Sequence, residues 1–183
     1  MNDFDEAYED DDAVFGDPYP PLIDTLAPRA PGRLLDLGCG QGRNAVALAA
    51  AGYEVTAVDA SAVGVGQTTL AAGDQGLVVQ GVVADLADYR IDSTYDVVLV
   101  DMVLHSFDDA ADRQRILEQI ALGVAPGGLV YVVVPDPGPL VDELEATFAA
   151  WDTTVTSIRH QLTGGEHAGE YTFVAVIAER PTA

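Results

Sequence analysis

The sequence predicts an α/β fold in which a doubly wound, mostly parallel seven-stranded sheet ends in a C-terminal antiparallel hairpin. Three observations indicate this fold class. Short apolar runs of strand length alternate with segments whose apolar residues recur at helical spacing. A glycine-rich turn, GCGQG, joins the first apolar run to the helical segment that follows it. The C-terminal segment alternates apolar and polar residues on both sides of Gly164 and Gly165. Strand–helix alternation implies a parallel sheet with right-handed crossovers.

Each element follows from its local pattern. Prolines begin the segment 18–27 and Leu22, Ile23 and Leu26 share one face, which predicts a short helix. Gly52 suits the end of the next helix, and Ser61 suits the N-cap of the helix after that. The predicted strands are 33–37, 54–59, 77–85, 95–101 and 129–134, followed by the hairpin strands 153–161 and 171–178. The remaining helices are predicted over 43–51, 61–72, 108–124 and from Leu140 to Phe148, with a turn at 125–128.

The chain has 183 residues, of which 49% are hydrophobic, and this suggests one globular domain over 1–183. Its acidic segment 1–12 is expected to be mobile. The longest apolar runs are too short to span a bilayer, and the N-terminus lacks an apolar signal-peptide core, so a cytoplasmic protein without a membrane partner is expected. Cys39 is the single cysteine, which excludes an intrachain disulfide and a cysteine-cluster metal site; no metal site is predicted.

The charge is strongly acidic. Thirty Asp and Glu residues face eight basic residues, all of them Arg, for a formal net charge of −22. Self-repulsion on this scale is costly at low salt and is largely screened at about 1 M salt. The composition therefore favours adaptation to a salt-rich cytoplasm, with an acidic surface for a basic partner as the alternative. No nucleic-acid partner is expected, because binding a phosphate backbone requires clustered Lys and Arg.

The segment LLDLGCGQGRNAVALAAAGYEVTAVDAS, from Leu34 to Ser61, is typical of a nucleotide-type cofactor site at the edge of a parallel sheet. Residues 40–45 fit the dinucleotide pattern G-x-G-x-x-G/A, and Asp59 ends the second strand, where a carboxylate can bind ribose hydroxyls. On this loop alone, a nicotinamide cofactor remains a genuine candidate, and glycine-rich turns also occur without any ligand.

Four carboxylates distinguish between the cofactors. Asp36 lies in the first strand, and Asp59, Asp85 and Asp101 end the next three, so all four lie near one edge of the sheet. A pyrophosphate prefers free backbone N–H groups without nearby anions. The same carboxylates suit a ligand with an ammonium group, two ribose hydroxyls and an amino-substituted base, which are features of S-adenosylmethionine.

The chain resembles the class I S-adenosylmethionine-dependent methyltransferases over essentially its full length. LLDLGCGQGRNA resembles their first motif, Asp59 their acidic second motif, and Ala84-Asp85-Leu86 their adenine-binding turn. YDVVLVDMVLHSF and APGGLVYVVV resemble the fourth-strand and fifth-strand motifs. The GRNA variant and the N-terminal segment are similar to the small-molecule tellurite-resistance and thiopurine-type branch. The resemblance implies the family's Rossmann-like fold, with the terminal hairpin completing a seven-stranded sheet.

The resemblance also implies roles for individual residues. Gly38 and Gly40 would let the backbone approach the methionyl and ribose parts, and Asp36 would face the methionyl amino group. Asp59 would bind the ribose hydroxyls, with Ala60 beside it. Asp85 and Leu86 would bind the adenine, and Asp101 would contact the cofactor or the acceptor. The alternative for Asp36 and Asp85 is a purely local role in a turn or cap.

The acceptor is predicted to be a small molecule, because no separate recognition domain fits in this chain. His105 is the best candidate for a general base and for an acceptor contact, with packing at a helix start as the alternative. His160 and His167 are weaker candidates. Tyr8 and Phe15 are candidates to cover the cofactor and contact the acceptor. Arg43 is the one cation in the loop that could attract an oxyanion or thiolate, although a surface or intramolecular salt bridge is the favoured interpretation.

Two nucleic-acid chemistries are disfavoured by missing residues, namely the Asp/Asn-Pro-Pro-aromatic turn after the fourth strand and a cysteine near the fourth or fifth strand. The predicted function is thus methyl transfer from S-adenosylmethionine to a small molecule, mainly by positioning the reactants, with S-adenosylhomocysteine as product. A nicotinamide-dependent reductase and a non-catalytic S-adenosylmethionine-binding module are the two rival interpretations.

Overall fold

The computed structural model describes residues 3–10, 16–135, 139–162 and 169–182. The strands are β1 Arg33–Leu37, β2 Glu54–Asp59, β3 Val79–Val83, β4 Tyr95–Asp101, β5 Val124–Pro135, β6 Asp152–Leu162 and β7 Gly169–Glu179. The helices are α1 Asp3–Asp10, α2 Pro20–Leu26, α3 Arg43–Ala50, α4 Ala62–Asp74, α5 Ala110–Gly123 and α6 Pro139–Thr147, with a short 3-10 turn at Leu104–Ser106. None of these helices is long and apolar enough for a membrane span.

The seven strands form one sheet in the order β3-β2-β1-β4-β5-β7-β6. The five strands from β3 to β5 are parallel, and β7 runs antiparallel to both β5 and β6. The predicted fold class and the antiparallel hairpin are therefore confirmed. The chain order reverses direction at β1 and β4, and ligands of open α/β sheets bind beyond the strand ends at such a switch point.

The core has two layers, one on each face of the sheet. Helices α2, α3 and α4 cover one face through buried residues such as Leu22, Leu48 and Val65. Helices α5 and α6 cover the other face, where Ile120 and Phe148 are fully buried. Because both faces are covered, the central strands are nearly continuous in apolar residues, which is the pattern expected of a parallel sheet.

The predicted bounds of β1, β2 and β4 agree with the structure to the residue. Helix α4 begins after Ser61, whose hydroxyl accepts a hydrogen bond from the backbone N–H of Gly64 at 3.0 Å, as an N-cap should. Strand β3 is shorter than predicted at both ends, because the N–H of Leu77 still bonds to the carbonyl of Ala72 at the end of α4 and the chain turns at Asp85. Strand β5 instead begins at Val124, so the predicted turn at 125–128 lies within it, at a register shift opposite β4.

The N-terminal helix is a feature that the sequence analysis does not predict. Residues 3–10 form α1, which packs against α4 and buries Asp5 and Tyr8 to 8% and 4% exposure. The Asp5 carboxylate and the Tyr8 backbone carbonyl accept hydrogen bonds from Ser61 and Gln67, more than fifty positions away, and the acidic composition gives no local sign of these contacts.

Candidate active site

A cleft of about 870 Å³ opens at the carboxyl ends of the parallel strands. This volume is within the range of small-molecule and cofactor sites. Nine of the predicted site residues line it: Tyr8, Gly38, Gly40, Asp59, Ala60, Asp85, Leu86, Asp101 and His105. Asp36 does not line the cleft, because it lies buried in β1. Phe15 and His167 lie outside the described residues.

The glycine loop approaches its neighbours closely. Gly38 and Gly40 adopt φ angles of +79° and +51°, which L-residues with side chains rarely adopt. A Cβ atom at Gly38 would lie 2.1 Å from the side chain of Val103, two residues after β4, so a larger residue there would require Val103 to move. The loop is thus held between β4 and α1, and its backbone forms one wall of the cleft.

Asp59 is fixed by two backbone N–H groups. Its Oδ2 accepts a hydrogen bond from Gly40 and its Oδ1 from Ser61, each at 2.8 Å. A carboxylate has about four acceptor positions. Both oxygens therefore keep capacity for a further donor, and Asp59 is only 9% exposed while lining the cleft. This geometry presents a well-oriented anion to a ligand.

The turn after β3 forms the far end of the cleft. Asp85 is exposed and its Oδ1 accepts a hydrogen bond from the N–H of Ala87 at 2.9 Å, so it has the local turn role that the sequence analysis kept as an alternative. It also lines the cleft, beside the buried Leu86 and the exposed Ala60. Apolar side chains next to a carboxylate are suited to an amino-substituted ring.

Helix α1 lies over the glycine loop. Ser61 donates a hydrogen bond from its hydroxyl to Asp5 at 2.5 Å, and Gln67 donates one to the carbonyl of Tyr8 at 2.7 Å. The Tyr8 ring lines the cleft beside Gly40. Burial raises the pKa of the Tyr8 hydroxyl, and the negative charge of Asp59 raises it further. Tyr8 therefore remains a neutral hydroxyl at the edge of the Asp59 site.

The side chain of Asp101 is the centre of a buried polar group at the end of β4. Arg43 forms a salt bridge with its Oδ2, and Asn44 donates a hydrogen bond to the same oxygen at 2.8 Å. The Arg43 guanidinium also lies 4.4 Å from the ring centroid of Tyr19. The favoured interpretation of Arg43, an intramolecular salt bridge, is confirmed. Burial alone would lower the pKa of Arg43, but the charge of Asp101 raises it overall.

Asp36 lies beneath this group, on the same face of the sheet as Leu34 and Leu99. It is 1% exposed, and neither carboxyl oxygen has a hydrogen-bond partner among the described residues. Burial raises the pKa of Asp36 from 3.8 to about 8, and the nearby charge of Asp101 adds to the effect. Asp36 is therefore mostly protonated at neutral pH, and its position beneath the cleft does not bring it into contact with the cleft surface.

The rim after β4 carries His105, exposed on the 3-10 turn and lining the cleft. Partial burial lowers the pKa of its imidazole, which favours the neutral form that can accept a proton. The chain reaches this turn through Met102, whose φ of +57° is the one positive value at a non-glycine residue within the described ranges. Strained residues of this kind concentrate at functional sites.

An aromatic wall closes the end of the cleft next to β7, and the sequence analysis did not predict it. Tyr19 contacts His160 edge to face, with ring centroids 4.6 Å apart, and lies 5.9 Å from Phe173. Phe173 in turn stacks on Tyr171, with ring centroids 6.0 Å apart. The signal available in the sequence was weak, because Tyr19 stands among prolines and the other rings lie in an ordinary strand pattern.

Cys39 lies in the glycine loop with 8% exposure, and burial raises the pKa of its thiol. It is thus a small buried thiol and not an activated nucleophile. Within the described ranges, no group of three or more His, Cys, Asp or Glu side chains is arranged to hold a metal ion.

Comparison with known proteins assigns the family. A family model described as a methyltransferase domain matches residues 14–169. The cypemycin N-terminal methyltransferase of a Streptomyces species is 37% identical over 107 residues, which cover 57% of this chain and 42% of that protein. The chain spans about half the length of the curated relatives that it matches.

Two solved structures share the fold. TehB from Haemophilus influenzae superposes with a TM-score of 0.75 at 22% identity, covering 89% of this chain and 62% of that one. The N-methyltransferase NodS from Bradyrhizobium japonicum WM9, in complex with S-adenosyl-L-homocysteine, superposes with a TM-score of 0.72 at 14% identity, covering 98% and 100%. The chain belongs to the methyltransferase-domain family, and the predicted resemblance to methyltransferases is confirmed. The likeness to TehB shows a shared fold.

Proposed function

We propose that this protein transfers the methyl group of S-adenosylmethionine to a small-molecule acceptor. The family assignment supports the reaction class, and the structural neighbour NodS was solved with S-adenosyl-L-homocysteine bound. The observation that carries the proposal is the carboxylate of Asp59, fixed by the N–H groups of Gly40 and Ser61 at the edge of the cleft and retaining acceptor capacity on both oxygens.

The residues present fit this cofactor better than a dinucleotide. Asp59, Asp85 and Asp101 all line the cleft, and the Arg43 side chain is engaged by Asp101. A pyrophosphate would meet three carboxylates at close range, whereas ribose hydroxyls, an amino-substituted base and an ammonium group are all hydrogen-bond donors.

The proposal assigns a role to each residue of the cofactor end. Asp59 would accept hydrogen bonds from the ribose hydroxyls, each such charged bond contributing about 1.5–3 kcal/mol. Asp85 would accept from the adenine amino group while Leu86 packs on the ring. Tyr8, held on α1, would cover the site and place an aromatic face near the positive charge, a contribution of about 0.5–2 kcal/mol.

Methyl transfer requires mainly that the protein position the methyl donor and the acceptor in line. S-adenosylmethionine supplies a methyl group already activated by a positively charged sulfur. Holding two reactants in line can lower a barrier by up to about 7–11 kcal/mol. A base is required only for an acceptor that must lose a proton, and His105, neutral and on the rim, is the candidate for that task.

The cellular location, the adaptation to salt and the absence of nucleic-acid partners are also proposals. A cytoplasmic protein of a high-salt cell is proposed from the net charge of −22 and the use of Arg as the only fully charged basic residue. A small-molecule acceptor without nucleic-acid partners is proposed because the cleft is acidic, and a polyanion would be repelled from it.

The first test is calorimetric titration in molar KCl with S-adenosylmethionine, S-adenosylhomocysteine and NADH. The proposal expects binding of both sulfur ligands in the micromolar range and none of NADH. NADH binding with both sulfur ligands silent would replace this proposal with the reductase. Tight binding of the sulfur ligands without turnover of any acceptor would instead support the non-catalytic binding module.

A further inference from the structure

Two buried oxygen atoms on one wall of the cleft have no hydrogen-bond donor. Asp101 Oδ1 and Asn44 Oδ1 both lack a partner among the described residues, although the other atoms of these side chains are paired. Asp101 and Asn44 are 8% and 5% exposed, and both line the cleft. Buried acceptors without donors are rare and costly, so this wall is suited to a ligand that donates hydrogen bonds.

Adaptation to salt does not account for this wall. Acidic residues that serve solubility belong on the surface, where water solvates them. The Asp101 side chain is 4% exposed and has its own buried counter-ion in Arg43. Arg43 and Asn44 both contact Oδ2, and the Tyr19 hydroxyl also lies close enough to interact with this carboxylate. Oδ1 nevertheless has no hydrogen-bond partner among the described residues.

The cleft residues around Asp101 Oδ1 and Asn44 Oδ1 favour a ligand that has a positive charge and an apolar body. Among the described residues that line the cleft, Arg43 and His105 are those that can carry a positive charge, and Arg43 is already engaged by Asp101. Beyond the Arg43–Asp101 pair lies the aromatic wall of Tyr19, Tyr171 and Phe173. Carboxylates combined with aromatic faces bind organic ammonium groups, and they disfavour thiolates and oxyanions.

We propose that the methyl acceptor is a primary or secondary amine on an apolar body, with an N–H donating to Asp101 Oδ1 and the body packed on the aromatic wall. The inference rests on the proposed function and names its substrate class. The topology agrees with it, because the adenosine-type contacts lie over β2 and β3, whereas the aromatic wall lies over β5 and β7 on the other side of Asp101.

The transfer step balances without a further reagent. The bound ammonium first loses one proton to the candidate base His105 or to water, and its nitrogen regains a lone pair. That lone pair forms the new N–C bond as the C–S bond breaks, and the electron pair of the broken bond stays on sulfur, which becomes a neutral thioether. The methylated nitrogen then carries the positive charge and releases a proton to solvent on leaving. Asp101 holds an N–H that remains on the nitrogen throughout.

The methionyl ammonium group of the cofactor could also donate to Asp101 Oδ1. The test must therefore distinguish binding of the cofactor at Asp101 from binding of the acceptor amine there. S-adenosylhomocysteine carries that group, whereas 5′-methylthioadenosine has the same nucleoside without it. If Asp101 serves the cofactor, Asp101→Asn will weaken S-adenosylhomocysteine binding and spare 5′-methylthioadenosine. If Asp101 serves the acceptor, the variant will leave the affinity for both within about twofold of wild type.

The decisive experiment titrates acceptor probes into protein saturated with S-adenosylhomocysteine, in molar KCl at neutral pH. The probes are 2-phenylethylamine, tyramine and N-methylbenzylamine, with 2-phenylethanol and 2-phenylethanethiol as matched probes without the ammonium group. The expected result is binding of at least one amine, weakened about tenfold or more by Asp101→Asn. Asp74→Asn, which removes one exposed charge outside the cleft, should leave amine affinity unchanged.

Mass spectrometry with S-adenosylmethionine in place of the product should then detect the N-methylated form of the amine that binds. The inference is overturned if no amine binds, if the alcohol or thiol binds as well as the amine, or if Asp101→Asn weakens only the amino-acid end of the cofactor. Failure of wild type to bind S-adenosylhomocysteine would overturn the proposed function itself, so the two failures are distinguishable.

Asp101→Asn leaves Arg43 buried without its counter-charge and could therefore unfold the protein. The double variant Arg43→Gln/Asp101→Asn removes both charges together and must lose amine binding in the same way. Tyr171→Leu gives an independent reading, because Tyr171 is 38% exposed and its truncation spares the core. We expect it to weaken the amines about two- to fivefold and leave S-adenosylhomocysteine unaffected; an unchanged amine affinity would remove the aromatic wall from the proposal.

Discussion

The two ends of the cleft are built in different ways. At the end over β2, Asp59 takes its hydrogen bonds from Gly40 and Ser61, which lie 19 and 2 positions away in the chain. At the end over β4, Asp101 is held by Arg43 and Asn44, which lie 58 and 57 positions away. The first end is one strand–loop–helix–strand unit, and the second is assembled from separate parts of the chain. A shared cofactor can be served by a fixed local unit, whereas an acceptor site can vary through long-range contacts.

The largest expected effect concerns the whole molecule and sets the conditions for testing either end. With a net charge of −22, we expect native circular dichroism to be lost on dialysis to about 10 mM salt, where the Debye length is about 30 Å, and recovered at about 1 M, where it is about 3 Å. Full native signal and an unchanged melting temperature at low salt would contradict the adaptation to salt.

Removing Arg43 should destabilise the folded protein, because it leaves its partner Asp101 as an unpaired buried charge at the proposed acceptor end of the cleft. Breaking a buried ion pair by deleting one partner typically costs about 3–5 kcal/mol, because the remaining charge is left buried. Arg43→Gln should therefore lower the free energy of unfolding by about that amount in urea titrations. The double variant Arg43→Gln/Asp101→Asn should recover part of the loss. Additive losses in the two single variants would show that the pair is not energetically coupled.

Asp36 lies beneath the junction of the two ends and should give a pH-dependent effect of a few kcal/mol. Its pKa is about 8 in the folded protein against about 3.9 when unfolded, so the unfolded state releases this proton between those values. Stability from this group is thus highest at low pH and falls as pH rises towards 8. Asp36→Asn should match wild type near pH 4 and exceed its stability increasingly up to pH 8.

Urea unfolding of Asp36→Asn and wild type in molar KCl at several pH values checks the sign directly. A difference between the two proteins that does not change between pH 5 and pH 8 would mean that Asp36 keeps its ordinary ionisation. Asp74→Asn is the matched control, because Asp74 is exposed and its substitution should shift stability little at any pH.

Removing Asp59 should harm the cofactor end selectively. Asp59→Ala removes the carboxylate proposed to bind the ribose and leaves the N–H groups of Gly40 and Ser61 without their acceptor, so S-adenosylhomocysteine affinity should fall at least about tenfold. Asp59→Asn keeps one acceptor oxygen and should lose less. Calorimetry on the two variants gives the comparison, and unchanged affinity in Asp59→Ala would remove the ribose from this position.

The structure agrees best with the sequence-based prediction where residues next to an element in the chain determine where it ends. The strands 33–37, 54–59 and 95–101 each end at an aspartate or directly before a glycine, and their predicted bounds hold to the residue. Strand β5 was predicted too short, because pairing with β4 extends it through the apparent turn at 125–128. Helix α1 was not predicted at all, because its acidic composition gives no sign of the long-range contacts that Asp5 and Tyr8 make with α4 and the loop before it.

The sequence by itself determined the sheet, the glycine loop and the position of Asp59, because apolar periodicity and turn residues act over a few neighbouring positions. Only the tertiary structure decided that Asp36 is buried beneath the cleft, that Arg43 is occupied by Asp101, and that Tyr19 meets Phe173 to form an aromatic wall. These outcomes depend on which distant side chains share one small volume after the strands cross over. Charge and burial at such places are properties of the assembled sheet, and no local pattern in the chain encodes them.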